Sequence, residues 1–168
     1  ASSSAARASA GQAVLPTSAD NTLYAESGAA SNGAGSYLFA GMNSLSAVRR
    51  ALVRFDVAGA IPAGATIQSV SLELSLSQAA SGAETMTLHR ALASWGEGTA
   101  DAPGSEGSGT VASANDTTWT MRFFGPSTAW TSAGGDFEPV PSASLAVDGV
   151  ATWSWSSAAL AADVQHWL

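Results

Sequence analysis

The chain contains no cysteine, which excludes disulfides, thiolate nucleophiles and Cys-ligated metal centres and leaves the redox compartment open. Lysine is missing too. Every basic residue is an arginine: Arg7, Arg49, Arg50, Arg54, Arg90 and Arg122. Charged residues make up only 11% of the 168, less than half the usual share, so Ser, Thr, Asn, Ala and Gly must cover the surface. Such a surface suits secreted proteins and close assemblies. A formal net charge of −7 gives no excess of cations to displace the counterions of nucleic acid or to hold anionic lipid. No apolar run is long enough to cross a bilayer as a helix. The first residues also lack the charged start and apolar stretch of a signal peptide, so the sequence reads as a mature chain.

What the chain does have is alternation with a period of two. In residues 49–76, RRALVRFDVAGAIPAGATIQSVSLELSL, Ala51, Val53, Phe55 and Val57 alternate with Arg50, Leu52, Arg54 and Asp56. Further on, Val70, Leu72, Leu74 and Leu76 alternate with Ser71, Glu73 and Ser75. This is the pattern of half-buried strands. It predicts a core face through Ala51 and Val70 and a wetter face through the arginines. Pro62 and Gly64 supply a change of direction between the strands, so the stretch reads as a hairpin-like pair.

Around that pair the sequence predicts a small, polar, aperiodic leader or arm at residues 1–13 and a single domain at residues 14–168. Asp20 to Tyr24 reads as an edge strand behind Pro16, and Tyr37 to Ala40 as a short strand. Glu84 to Leu92 alternates Met86 and Leu88 against Thr85, Thr87 and His89. Residues 96–113, GEGTADAPGSEGSGTVAS, lose all periodicity, and a structureless loop of that length in a compact domain is usually functional or mobile. Strands return at Trp119 to Phe124, Leu145 to Asp148 and Val150 to Trp155. Ser156 or Ser157 can then cap a helix that places Leu160, Val164, Trp167 and Leu168 on one stripe. Short strands separated by Gly/Pro turns predict an all-β fold: an antiparallel jelly-roll β-sandwich with a short C-terminal amphipathic helix.

The run at 49–76, followed by TLHRALASWGEGT and closed by WSWSSAALAADVQHWL, resembles the DNRLRE-domain family of secreted bacterial and archaeal proteins. The resemblance implies a jelly-roll sandwich on extracellular and cell-surface proteins, often beside polysaccharide-degrading enzymes. Some relatives are classed as carbohydrate-binding modules, and no catalytic apparatus is implied. Relatives usually continue past such a helix into further strands, including the charged stretch that names the family, and none follows Leu168. The expectation is a chain that is longer in nature or a sandwich completed by a neighbour's strand.

The candidate chemistry is sparse. His89 and His166 have no serine or acid at a motif spacing, and no GxSxG, HExxH or phosphate-loop pattern occurs, so both read as structural. Glu97, Asp101 and Glu106 sit among glycines. Solvated loop acids are the default there, and an oxygen-ligand calcium site is the sharper alternative; Asp136 and Glu138 are a weaker pair. Among the tryptophans, Trp119 and Trp130 lie near loops and are the candidates for exposed rings that stack on a sugar face, with Arg122 beside them to bind hydroxyls. Arg49, Arg50 and Arg54 can contact a ligand carboxylate, but the commoner expectation is that they pair with Asp56, Glu73 or Glu84 across the sheet.

These readings converge on a secreted, non-catalytic module for polysaccharide binding or extracellular adhesion. The alternative is a structural subunit of an extracellular filament or matrix, sharing strands or arms with copies of itself. No nucleic acid and no membrane insertion is expected.

Overall fold

The computed structural model describes residues 11–79, 82–125 and 128–168, so the leader expected at 1–13 lies outside the described residues apart from 11–13. The elements follow in the order β1 (Ala19–Tyr24), β2 (Ala30–Ser31), β3 (Gly41–Met42), β4 (Val48–Arg54), α1 (Val57–Ala60), β5 (Leu72–Leu76) and β6 (Glu84–Leu88). Then come β7 (Thr110–Val111), β8 (Met121–Phe123), β9 (Thr128–Ala129), β10 (Ala143–Val147), β11 (Ala151–Trp155) and α2 (Ala158–Trp167). All strand pairs are antiparallel, and the fold is all-β. Among the described residues no helix is long and apolar enough to cross a membrane.

The largest sheet has the order β1-β4-β3. The alternating segments at 49–57 and 70–76 both carry strands, but they do not pair with each other. β5 pairs with β11, placing Leu74 opposite Trp153, while β4 pairs with β1 and β3. The reason lies at Asp56, whose Oδ1 accepts the Gly59 N–H at 3.0 Å and caps α1. That helical turn leads the chain away from β4 instead of folding it back. β6 pairs with β10, with Met86 opposite Leu145, and β2–β7 and β8–β9 are short ladders.

The expected strand at Tyr37 to Ala40 does not form. Its amides go to side chains rather than to a ladder. The Tyr37 N–H donates to Glu106 Oε2 at 2.9 Å, and the Phe39 N–H donates to Thr22 Oγ1 at 3.0 Å.

Among the described residues, apolar packing includes two clusters. One joins Ala19, Trp95 and Trp130, with Leu52 and Ala93 against them. The other joins Ala143, Val147 and Trp155 with Leu74, Met86, Leu88, Leu145 and Trp153. The first cluster corrects the expected wetter face of β4. Register pairs Ala19 with Arg54, Asn21 with Leu52 and Leu23 with Arg50, and all three β1 partners are at most 2% exposed. Directly opposed residues point to the same side of a sheet, and Thr22 and Tyr24, opposite Ala51 and Arg49, are buried as well, so both faces of this strand pair are covered and the arginine face is not simply the wetter one. Its guanidinium groups lie on rings: Arg50 over Trp119 and Phe137, and Arg54 over Trp95. Long aliphatic stems and planar heads let arginine sit against aromatic surface where lysine would have to keep a hydrated ammonium. The expected cross-sheet ion pairs are replaced accordingly. Arg49 pairs with Glu26 at 2.6 Å, Arg50 donates to the Gly134 carbonyl at 2.6 Å, and Arg54 donates to the Trp95 carbonyl at 3.4 Å.

α2 is capped by Ser157, whose Oγ accepts the Leu160 N–H at 2.9 Å. Leu160 is its buried residue. Asp163 ties the helix to the sheet by accepting from Ser142 Oγ and pairing with Arg90 Nε at 3.2 Å. Trp167, which the helical stripe placed on the apolar side, is 44% exposed.

Candidate ligand-binding site

The surface around the long loop at 96–113 is held by a buried polar frame. Asn21, at 0% exposure, uses its Oδ1 to accept the Thr22 N–H at 2.7 Å and the Asn32 N–H at 3.0 Å. Its Nδ2 donates to the Glu97 carbonyl at 2.7 Å and to Ser31 Oγ at 2.8 Å. Asn32 continues the frame by donating to Glu106 Oε2 at 3.0 Å and the Tyr37 carbonyl at 3.0 Å, while its Oδ1 accepts the Ala102 N–H at 2.9 Å. Asp116 closes it. Its Oδ1 accepts the Thr99 N–H at 2.6 Å and its Oδ2 accepts the Ser113 N–H at 2.6 Å. Buried polar groups are tolerated only when satisfied in this way. The loop is therefore tied into the body by side chains at both ends and in the middle.

This frame decides where the loop acids go. Glu106 is buried, and the Asn32 amide and the Tyr37 N–H hold its carboxyl below the usual range despite that burial. Glu97 Oε1 accepts the Asp20 N–H at 3.0 Å, and Asp101 stands exposed. Glu97 and Glu106 are thus engaged in the frame, and among the described residues no group of three acids or histidines is placed to hold a metal ion.

A surface groove of about 670 Å³ lies among the residues on either side of β8 and β9 and the loop that follows them. It is lined by Leu92, Ala93, Arg122, Ala129, Thr131, Ser132, Gly135, Asp136, Phe137 and Pro139. Asp136 is committed within its own loop, where its oxygens accept the Thr131 and Ser132 N–H groups at 3.0 Å each. Those bonds, with the positive charge of Arg122, hold its carboxyl below the usual range. The Arg122 guanidinium carbon lies 5.9 Å from the Phe123 ring centroid, and the Arg122 charge acts on the Asp136 carboxyl. Its side chain makes no hydrogen bond or salt bridge of ordinary length among the described residues. Leu92, 53% exposed, supplies apolar surface on the rim.

The structure brings Arg122 to this groove but not the expected tryptophans. Trp130 is 5% exposed, and its indole N–H donates to the Thr118 carbonyl at 2.9 Å. It is a core residue, following directly on β9 and packed with Ala19 and Trp95. Trp119 is half-buried beneath Arg50, 5.0 Å from the guanidinium carbon. Trp130 has no exposed ring face for stacking a sugar, and Trp119 lies outside the residues that line the groove. His89 is structural, bonded through Nδ1 to the Glu138 carbonyl at 2.8 Å and set edge-on to Phe137.

A second, smaller cleft of about 290 Å³ is lined by Thr17, Asp20, Gly35, Ser36, Tyr37, Leu38, Leu74, Ser75 and Ser77. Sequence reasoning missed it, because Tyr37 reads as a strand residue and Asp20 as an edge-strand acid. The signal was the aromatic residue inside a Gly/Ser/Asn stretch, a composition that suits loops and not strands. No family model, no curated protein and no solved structure matches the chain.

Proposed function

We propose that the chain is a secreted, non-catalytic polysaccharide-binding module, built as a jelly-roll sandwich of the kind found in the DNRLRE-domain family. The observation that carries the reading is Arg122: a guanidinium whose donors make no side-chain hydrogen bond or salt bridge among the described residues, in a groove of about 670 Å³ lined also by Phe137, Thr131 and Ser132. Arginine donors beside apolar and hydroxyl groups suit a ligand that presents oxygen acceptors on an otherwise CH-rich ring. The jelly-roll arrangement is supported by antiparallel ladders joined across long sequence separations, such as β5 with β11 and β6 with β10. Secretion is supported by the scarcity of charge.

The test is affinity electrophoresis and calorimetry against neutral and uronic-acid polysaccharides, with Arg122→Ala beside the wild-type chain. Retention that weakens at least about tenfold in the variant, the loss of a bond to a charged group being about 1.5–3 kcal/mol, supports the reading. No retention on any polysaccharide overturns it. Hydrolysis or lyase activity that disappears in Glu97→Gln or Asp101→Asn would make the chain an enzyme instead.

A second reading, a subunit of an extracellular filament or matrix, has its own observation. The β5–β11 ladder has no third strand among the described residues, and Leu72, Leu74 and Leu76 on one face of β5 are only half-buried. Unpaired edges beside apolar surface are templates for strand addition. Sedimentation and negative-stain imaging that show only isolated single particles would remove this reading.

A further inference from the structure

The smaller cleft combines a rigid aromatic platform with an unsatisfied acid. Tyr37 is 52% exposed, yet both of its backbone groups are fixed from below. Its N–H donates to Glu106 Oε2 at 2.9 Å, and its carbonyl accepts from Asn32 Nδ2 at 3.0 Å. An exposed ring on an anchored backbone binds with little ordering cost. Across the cleft, Asp20 is half-buried on β1, and its backbone N–H is held by Glu97 Oε1 at 3.0 Å. Its carboxylate has no hydrogen-bond partner among the described residues. Burial, and then the nearby charge of Glu97, push its pKa above the ordinary value. Thr17, Ser36 and Ser77 line the same space with hydroxyls that likewise make no bond among the described residues, and Leu74 supplies the apolar wall.

We propose that this cleft is a second saccharide subsite, which takes one neutral, hydroxyl-rich sugar ring and rejects carboxylated ones. The Tyr37 ring packs on the CH face of the sugar. Asp20 accepts hydrogen bonds from its hydroxyls, and the serine and threonine hydroxyls complete the cradle. Neutrality follows from the electrostatics: Asp20 and Glu97 already repel each other, so a ligand carboxylate would add a third negative charge, whereas hydroxyl donors relieve the unpaired acid. The volume of about 290 Å³ is at the lower end for small-molecule sites and suits a single ring. Arg122 faces the other groove, so one chain would hold a mixed polysaccharide at two points, with the gain in avidity that two linked contacts give.

This inference rests on the polysaccharide reading, and one experiment separates the two. Neutral oligosaccharides and uronic-acid oligosaccharides are titrated by saturation-transfer NMR and calorimetry against wild type, Tyr37→Ala, Asp20→Asn and Arg122→Ala. The expected result is that Tyr37→Ala and Asp20→Asn each weaken neutral-sugar binding tenfold or more, with uronic-acid binding unchanged, while Arg122→Ala does the reverse. Asp20→Asn keeps the side-chain shape and removes a charge that Glu97 repels, so a thermal midpoint at or above wild type shows that its loss of binding is not unfolding. Neutral sugars bound equally by wild type, Tyr37→Ala and Asp20→Asn would overturn the subsite. Binding of uronic-acid ligands alone would also overturn it while leaving the Arg122 groove standing, and binding of no saccharide would overturn both.

Discussion

Asn32 and Glu106 meet at 3.0 Å, Nδ2 to Oε2, across 74 residues of chain. Asn32 is 1% exposed and Glu106 is 8% exposed, so each is the other's substitute for water. Asn32 also receives the Ala102 N–H and supports the Tyr37 carbonyl. One side chain thereby fixes the long loop to the aromatic loop opposite. Asn32→Ala is expected to leave several buried groups unpaired at about 1–3 kcal/mol each. Urea denaturation checks the loss. Hydrogen exchange checks its place, with faster exchange expected first at Ala102 and Tyr37.

The contrast between this frame and the strands shows what the sequence could reveal. Period-two alternation in Ala51 to Val57 and Val70 to Leu76 located β4 and β5, because burial of one face leaves a direct imprint on residue order. Which strands pair is decided by contacts between residues far apart in sequence, and nothing local to Leu76 announces Ala151 as its partner. That the arginine face of β4 is covered too was hidden for a chemical reason. Arginine counts as polar in any alternation pattern, yet the Arg50 and Arg54 guanidinium groups sit over aromatic rings. Asn21, Asn32 and Asp116 left no periodic trace at all, since a residue that caps distant amides is recognised only when those amides are in place. The same limit hid the smaller cleft, while Arg122 was legible as a candidate simply because basic residues are so few.

Acid should act on the molecule through opposed groups. The Glu106 carboxyl is held below 4.5 and the Asp136 carboxyl below 3.8 by their hydrogen bonds. Their contribution is therefore present above those ordinary values and is lost as pH falls through the folded ones. Asp20 runs the other way. Its folded pKa lies above 3.8, so its ionisation opposes folding once pH exceeds the folded value and has no effect below the unfolded one. Asp20→Asn is expected to raise the urea midpoint at neutral pH, with the difference from wild type vanishing well below 3.8. An equal gain at both ends of a pH series of denaturation curves would show that the carboxylate charge is not the cause.

Gly98 is the position where the loop can least accept a side chain. It has φ +76, and a Cβ there would come within 1.3 Å of Asp116 Oδ1. That oxygen is the acceptor for Thr99 N–H at 2.6 Å and Ala100 N–H at 3.3 Å, so it cannot retreat without releasing both. Gly98→Ala adds positive-φ strain of about 1–2 kcal/mol to the displacement of Asp116. The expected outcome is a clear drop in stability, with amide protection lost at Thr99, Ala100 and Ser113 before the β1–β4 ladder opens. Gly104 offers the control, since it too has positive φ but a Cβ there meets nothing within 4 Å. Gly104→Ala should cost the strain alone.

Arg50 separates stacking from charge. Its guanidinium carbon lies 5.0 Å from the Trp119 ring and 4.8 Å from the Phe137 ring, and Nη1 donates to the Gly134 carbonyl at 2.6 Å. Burial lowers its pKa from the ordinary value, but arginine keeps its charge in proteins, so a cation sits close to both rings. Arg50→Lys keeps the charge but gives up the planar contact and the fork of donors. Each ring contact contributes about 0.5–2 kcal/mol, and Arg50→Lys should lose much of that stabilisation. Arg50→Ala should lose it entirely, together with the bond to Gly134. Because Phe137 also lines the Arg122 groove, both variants should weaken ligand retention there as well as shift the tryptophan fluorescence. If Arg50→Lys matches wild type in urea midpoint and fluorescence, the positive charge rather than the stacked plane is what holds this face of the sheet.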